Sequence, residues 1–103
     1  MSDTATAFAQ HQSENRRLYA LNALKAAQGM ELNQHALHAF VNSIGGHRAS
    51  RDLVNNDIAW LHEQGLVRTR TVDGVTVATI TQRGMDVVDG TATVPGVAKP
   101  VPN

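Results

Sequence analysis

Arginine and asparagine side chains cluster around the start of one predicted helix. Arg48 and Arg51 bracket Ser50, and Asn55 and Asn56 follow one helical turn later. An asparagine can pair with the edge of an adenine, and an arginine can bond a guanine or a phosphate. Ser50 is expected to cap the helix by accepting a bond from a free backbone N–H. These five residues are therefore candidates for contacts with DNA. The alternative is a solvated helix face, which acidic Asp52 and Glu63 at the border of this surface favour.

A second pair of arginines lies on a predicted strand. Arg68 and Arg70 alternate with Thr69 and Thr71, so both arginines project from one face of that strand. From there they could bind phosphates without reading the base sequence. The alternative is an exposed edge strand, on which arginine discourages pairing with another sheet. Both interpretations stay open.

Other chemistries have little support in the sequence. His35 and His38 are three residues apart, but zinc usually needs three or four protein ligands and the chain has no cysteine. We therefore predict no metal site and place both histidines on a polar surface. No glycine-rich phosphate loop, nucleophile motif or paired catalytic carboxylates occur. The sequence predicts neither an enzyme nor a cofactor.

The overall composition predicts one small domain with no net charge. The chain has 103 residues, with nine Lys and Arg against nine Asp and Glu. A neutral protein is not drawn to phosphates by its net charge, so DNA binding would need a local patch or dimerisation. No apolar run has the length of a membrane span and no secretory signal is recognisable, so we expect a cytoplasmic protein without a membrane partner.

The apolar periodicity predicts a mainly helical fold with a small β-wing. A first helix from Asp3 or Thr4 to Gln28 precedes a short extended link, Met30 to Leu32. Two helices follow, the first capped by Asn33 and the second by Ser50, and then a hairpin and a short helix that starts at Thr81. The expected core of these two helices is Leu37, Phe40, Val41, Ile44, Val54, Ile58 and Leu61. Asp73-Gly74 between two β-rich runs is a strong hairpin signal.

Both ends of the chain extend beyond this core. We assign residues 1–90 to the domain, with 1–16 as a potential overhang, and residues 91–103 to a Pro/Val tail. Phe8 is the only large apolar residue from Thr4 to Asn15, a stretch that is either frayed or packed on a partner. Arg16 and Arg17 are expected on a solvated face. The tail is expected to lie on its own domain, on a second subunit or on a partner protein, or to be disordered. Its candidate contact residues are Val94, Pro95, Val97 and Pro100.

Several motifs resemble those of known families. The stretch from Arg48 to Gly84, with Leu61-x-x-x-Gly65-Leu66-Val67 and Ile80-Thr81-x-x-Gly84, resembles bacterial winged helix-turn-helix regulators of the ArsR and MarR type. His47-Arg48-x-Ser50-Arg51-Asp52 and Val94-Pro95-Gly96-Val97-x-Lys99-Pro100 are similar to segments of small winged-helix proteins from Mu-like phages and prophages. The resemblance implies a three-helix core with a β-hairpin wing. It implies no metal sensing, because the metal-binding motifs of ArsR sensors are missing.

Two functional hypotheses follow. The first is a phage or prophage homodimer that binds double-stranded DNA as a transcriptional regulator or a DNA-packaging accessory. The second is a protein–protein adaptor, directed at a phage or host protein, that has the winged-helix shape without binding DNA. Zero net charge and the acidic Asp73 at the hairpin tip favour the second hypothesis. The frequent use of this fold on DNA favours the first, which is an analogy from fold rather than from a site.

Overall fold

A computed structural model describes residues 2–101 as a mainly helical chain with a three-stranded antiparallel sheet. The elements in chain order are α1 (Ser2–Ala26), a 3-10 turn (Gln28–Met30), β1 (Glu31–Asn33), α2 (Gln34–Ser43), α3 (Arg51–Glu63), β2 (Val67–Val72), β3 (Val75–Ile80) and α4 (Gln82–Asp89). This confirms the predicted fold class at the level of helices plus a small sheet. Within the described residues, no helix combines the length and the apolar character needed to cross a membrane.

The predicted boundary signals are confirmed. The side chains of Asn33, Ser50 and Thr81 each accept a bond from a backbone N–H in the first turn of the following helix. Asp73 and Gly74 have φ values of 50° and 77°, as a tight two-residue hairpin between twisted strands requires. Local chemistry therefore determines where these elements begin and turn.

The core is aliphatic and lies between α1, α2, α3 and the inner face of the sheet. Its fully buried members include Leu21, Leu24, Leu37, Val41, Val54, Leu61, Leu66 and Val67. The predicted core face of α3 is confirmed, but the placement of Ile44 in the core was wrong. Ile44 is 64% exposed, because α2 ends at Ser43 and the chain turns away from the core there.

The sheet contains a strand that the periodicity did not reveal. The segment predicted as an extended link pairs with β3, which gives the strand order β1-β3-β2. Val67 and Ala78 are buried on the inner face, whereas Arg68 and Arg70 belong to the opposite, outer face.

The Thr81-x-x-Gly84 motif has a packing function at the start of α4. The Thr81 hydroxyl donates to the carbonyl of Gly65 and accepts from the N–H of Gly84. A Cβ atom at position 84 would lie 2.3 Å from the carbonyl oxygen of Leu66 and 2.7 Å from Ile80. Only glycine lets α4 approach the sheet this closely.

The tail packs on its own domain. Val94 and Val97 are 3% and 6% exposed and belong to the core. Arg17 donates to the carbonyl of Gly96 at 3.0 Å, and the N–H of Ala98 donates to the carbonyl of Glu14 at 3.1 Å. The assignment of Val94 and Val97 to a partner contact is therefore corrected, because both side chains are buried within the same chain.

The two remaining tail candidates lie at the surface of this segment. Pro95 is exposed and Pro100 is half-buried. Of the tail, residues 102–103 lie outside the described part of the chain. Residues 91–101 form a strap over the domain, defined here as the C-terminal strap, rather than a separate projecting arm.

A buried ion pair connects α1 to α3. Arg16, whose side chain is 6% exposed, bonds both carboxylate oxygens of Asp57, and Arg17 adds a third bond at 3.3 Å. The expectation of a solvated face for these arginines is wrong for Arg16, which is a core residue. Arg17 is half-buried, and both arginines link α1 to α3 through the Asp57 carboxylate.

Candidate nucleic-acid interface

The first turns of α2 and α3 lie side by side at the surface. A guanidinium nitrogen of Arg51, the first residue of α3, lies 3.5 Å from Nδ1 of His35, the second residue of α2. The first backbone N–H groups of a helix carry partial positive charge and attract anions. An exposed arginine at the start of α3 therefore meets a side chain from the first turn of α2.

Gln34 holds this arrangement against the hairpin. Its side-chain nitrogen donates to Oδ1 of Asn55 at 3.2 Å, and its oxygen accepts from the N–H of Thr76 at 2.7 Å. One amide thus connects α2, α3 and β3. The sequence analysis missed Gln34, because a glutamine after an N-cap carries no signal for contacts 21 and 42 residues away.

The two predicted base-reading asparagines differ in their surroundings. Asn55 is half-buried, and its side-chain oxygen is engaged by Gln34. Asn56 is exposed on the outward face of α3. Asn56 is therefore the asparagine that is available to a ligand, and Asn55 has a positioning role.

Arg70 lies on the outer face of the sheet and is bonded to a carboxylate. Its guanidinium donates to Glu31 at 2.8 Å, and the Thr79 hydroxyl donates to the other oxygen of Glu31 at 3.0 Å. These two bonds hold the pKa of Glu31 below its ordinary value. Arg70 can bind a phosphate only in competition with Glu31. Arg68 is exposed, and no carboxylate of the described residues lies within 4 Å of it.

A trough on the outer sheet face connects these groups. His35 and Arg70 line the same open depression of about 500 Å³, whose apolar wall is formed by Val72, Val75 and Val77. His35 thus borders Arg51 on one side and the trough on the other. We define the basic surface as Arg51, His35 and Arg70, with exposed Asn56 on the adjoining face of α3.

The other predicted contact residues lie apart from the basic surface or serve local structure. The Ser50 hydroxyl accepts from the N–H of Leu53 at 3.1 Å and so acts as a helix cap. Arg48 is exposed but lines a separate cleft with Gln12 and Arg16 of α1. The structure therefore brings together Arg51 and Arg70, through His35, and does not bring Arg48 to the same place.

Exposed acidic groups lie on α3 and at the hairpin tip. Asp52 and Glu63 are exposed on α3, and Asp73 is exposed at the hairpin tip. Asp73 also lines the trough with Arg70. Any phosphate on the basic surface would be attracted by a small number of cations and repelled by nearby carboxylates, so we expect binding to be weak and strongest at low salt.

The histidines have distinct environments. His38 is half-buried and contacts the carbonyl of Ala49 at 2.9 Å, which corrects its expected place on the polar surface. Burial lowers the pKa of His47, with the nearby charge of Arg16 as a second cause. Among the described residues, no three His, Asp or Glu side chains are arranged to hold a metal ion.

Comparison with known proteins places the chain among phage-related proteins. It is 41% identical over 90 residues to the "Uncharacterized protein gp26" of Escherichia phage Mu, a match that covers 87% of this chain and 92% of the phage protein. The chain belongs to the family of this phage Mu protein. A protein of Haemophilus influenzae, titled "Uncharacterized protein", is 40% identical over 72 residues, which is 69% of either chain.

This family membership confirms the resemblance to Mu-like phage proteins. No protein-family model matches the chain. No solved structure matches it either. The names of the two relatives state no activity.

Proposed function

We propose that this protein is a phage-encoded winged-helix protein that binds double-stranded DNA, as a transcriptional regulator or a DNA-packaging accessory, and that it acts as a homodimer. The order α2, α3, hairpin follows the layout of a helix-turn-helix followed by a wing. In such domains the N-terminal part of the second helix of the motif faces the major groove. Here that helix is α3.

The observation that carries this proposal is the junction of Arg51 and His35. It brings a side chain of the first turn of α2 into contact with Arg51 at the start of α3, so a phosphate there would meet one guanidinium and the partial positive charge of the α3 N-terminus. Asn56, five residues further along α3, is exposed and is the candidate for a contact with a base edge. Arg70, and Arg68 farther along the outer sheet face, would add positional phosphate contacts.

Fluorescence anisotropy with duplex fragments from the protein's own genome neighbourhood, across a salt series, tests the proposal. We expect binding that weakens with salt. An Arg51→Ala substitution should reduce the slope of log affinity against log salt by about one, as expected when one phosphate contact is lost. Lys99→Ala in the C-terminal strap removes the same charge away from the basic surface and is the matched control. No binding at about 50 mM salt would overturn the proposal.

A substitution of Asn56 distinguishes sequence-specific from non-specific DNA binding. If Asn56 bonds a base, Asn56→Ala should weaken binding to the preferred fragment by about 1–3 kcal/mol and leave binding to unrelated duplex unchanged. Equal losses on both duplexes would assign Asn56 a contact with the DNA backbone instead.

A protein–protein adaptor is the second candidate function. The observation that favours it is the outer trough, which has an apolar wall of valines beside an arginine already neutralised by Glu31. Val72 in this wall is 45% exposed and gives a partner an apolar contact beside the arginine. If DNA binding is absent, Val72→Asp should abolish capture of a phage or host partner while leaving the fold intact by circular dichroism.

A further inference from the structure

A cleft between the middle of α1 and the α2–α3 loop gathers cationic and amide side chains. It has a volume of about 330 Å³ and is lined by Gln12 and Arg16 of α1 and by His47 and Arg48 of the loop. Leu53, near the start of α3, adds an apolar patch and is 39% exposed. No carboxylate of the described residues lines the cleft. Positive charge is therefore concentrated here, in a chain whose net charge is zero.

The buried ion pair uses only part of the Arg16 guanidinium. Its Nε and Nη2 atoms bond the two carboxylate oxygens of Asp57. The guanidinium is planar and these bonds fix its direction, so Nη1 points away from Asp57. No described residue bonds Nη1, and no buried side-chain nitrogen of the described residues lacks a partner, so Nη1 is accessible to solvent. Because Arg16 lines the cleft, this nitrogen is a rigidly held donor for a ligand there.

The two loop residues also have unused donors. The ring nitrogens of His47 bond no described residue. No carboxylate of the described residues lies within 4 Å of Arg48. The charge of Arg16 contributes to the lowered pKa of His47, so these two side chains are close enough to interact. Cations gathered without a carboxylate repel one another, and an anion between them would remove that cost.

We propose that this cleft binds the phosphate group of a small phosphorylated molecule. Arg16, Arg48 and His47 supply donors for the phosphate oxygens, and the Gln12 amide adds a neutral donor. Cations from two separate elements match a tetrahedral dianion better than a planar carboxylate, which a single arginine can engage fully. The volume of about 330 Å³ lies at the lower end of the range for small-molecule sites, so the cleft has space for an organic group beside Leu53.

The cleft is separate from the surface proposed for DNA. None of Arg51, His35 and Arg70 lines it. Binding of a small phosphorylated molecule therefore does not depend on the proposed function. A phosphate of the DNA backbone has the same chemistry, so the experiment has to distinguish these two sources of phosphate.

Titration of the full chain with inorganic phosphate at constant ionic strength tests the site. The readout is the NMR signal of the His47 ring, which is assigned by its loss in His47→Gln. We expect a saturable shift with phosphate and none with chloride. Gln12→Glu places a carboxylate in the cleft and should raise the dissociation constant of phosphate by about tenfold. Gln10→Glu makes the same change at an exposed position of α1 that does not line the cleft, and it is the matched control.

Two further variants test the cation and the apolar patch. Arg48→Ala should weaken phosphate binding by about tenfold, whereas Lys99→Ala, at an exposed lysine that does not line the cleft, should leave it unchanged. Phenyl phosphate should bind about fivefold more tightly than inorganic phosphate, and Leu53→Ala should remove this gain. A shift that does not saturate up to about 20 mM phosphate would overturn the proposal. Equal dissociation constants for Gln12→Glu and Gln10→Glu, or for the two ligands, would overturn it as well.

Duplex binding in phosphate-free buffer distinguishes the two sources of phosphate. Gln12→Glu and Gln10→Glu should have equal duplex affinities, because the cleft lies apart from the basic surface. A loss for Gln12→Glu as large as that for Arg51→Ala would mean that the cleft takes a phosphate of DNA, which would overturn its assignment to a small molecule. Saturable phosphate binding by a protein that binds no duplex at low salt would support the cleft site and remove the proposed function.

Discussion

Arg16 and Arg70 each pair with a carboxylate that is distant in sequence, yet their surroundings differ completely. The side chains of Arg16 and Asp57 are both 6% exposed, whereas those of Arg70 and Glu31 are 53% and 36% exposed. In the core, removing one partner leaves a charge that water cannot reach. At the surface, water and salt replace a lost partner. The same chemical pair therefore holds the fold in one place and can be exchanged for a ligand in the other.

The largest expected effect comes from breaking the buried pair. Asp57→Ala leaves Arg16 buried and without its carboxylate, so we expect the free energy of unfolding to fall by about 3–5 kcal/mol. Urea unfolding followed by circular dichroism measures this change. Asp52→Ala removes an exposed carboxylate from the same helix and should cost less than about 1 kcal/mol. Equal losses for both variants would contradict the structural role of Asp57.

A second substitution tests the strap that Arg17, the neighbour of the buried pair, holds in place. Gly96 has φ +101°, and a Cβ there would lie 2.5 Å from the ring of Trp60. Gly96→Ala should therefore lower the free energy of unfolding by about 2–3 kcal/mol, which is more than the backbone strain of an alanine at positive φ would cost by itself. Gly46, with φ +72° and open space around its Cβ position, isolates that strain. Gly46→Ala should lower the free energy of unfolding by about 1–2 kcal/mol, measured by thermal unfolding. An equal loss for both variants would mean that the contact with Trp60 contributes nothing to the effect of Gly96→Ala.

The surface pair should affect binding more than stability. Glu31→Gln frees Arg70 and removes a negative charge from the trough, so we expect the melting temperature to stay nearly constant. Duplex affinity at low salt should rise by about two- to fivefold in anisotropy measurements. Asp89→Asn breaks the exposed pair with Lys25 and is the control for a lost surface carboxylate. A large fall in stability for Glu31→Gln would mean that the surface pair stabilises the fold as the buried pair does.

The smallest effect is a pH dependence next to the buried pair. Burial lowers the pKa of His47 in the folded chain, so the unfolded chain binds a proton more readily. Stability should then be fully present above the ordinary histidine pKa of about 6.5 and decline as pH falls through the folded pKa. Urea unfolding between about pH 5 and pH 7.5 measures the slope. His47→Gln should flatten it, and an unchanged slope would assign the dependence to other groups.

The local elements could be predicted because their signals are local. The caps Asn33, Ser50 and Thr81 and the Asp73-Gly74 turn act on backbone groups within three residues, so composition and spacing suffice. The face of α3 that carries Val54, Ile58 and Leu61 follows from helical periodicity. The three-residue β1 had no such signal, because its partner strand lies more than 40 residues away.

The candidate site was predicted in its parts but not in its arrangement. The sequence offered Arg51, Asn56 and Arg70 among its candidate contact residues. The Gln34 amide that fixes Asn55, and the Glu31 carboxylate that engages Arg70, depend on how helices and sheet meet in three dimensions. Arginines at positions 16 and 17 resemble any surface pair until the aspartate of another helix is placed beside them.

Trp60 is the only tryptophan of the chain, and it lies under the C-terminal strap. The guanidinium of Arg17 sits 4.2 Å above the centre of its ring and also holds the carbonyl of Gly96. The indole has the backbone of Gly96 against its edge only while the strap is docked. The fluorescence emission of Trp60 should therefore report whether the C-terminal strap is docked, without any attached dye.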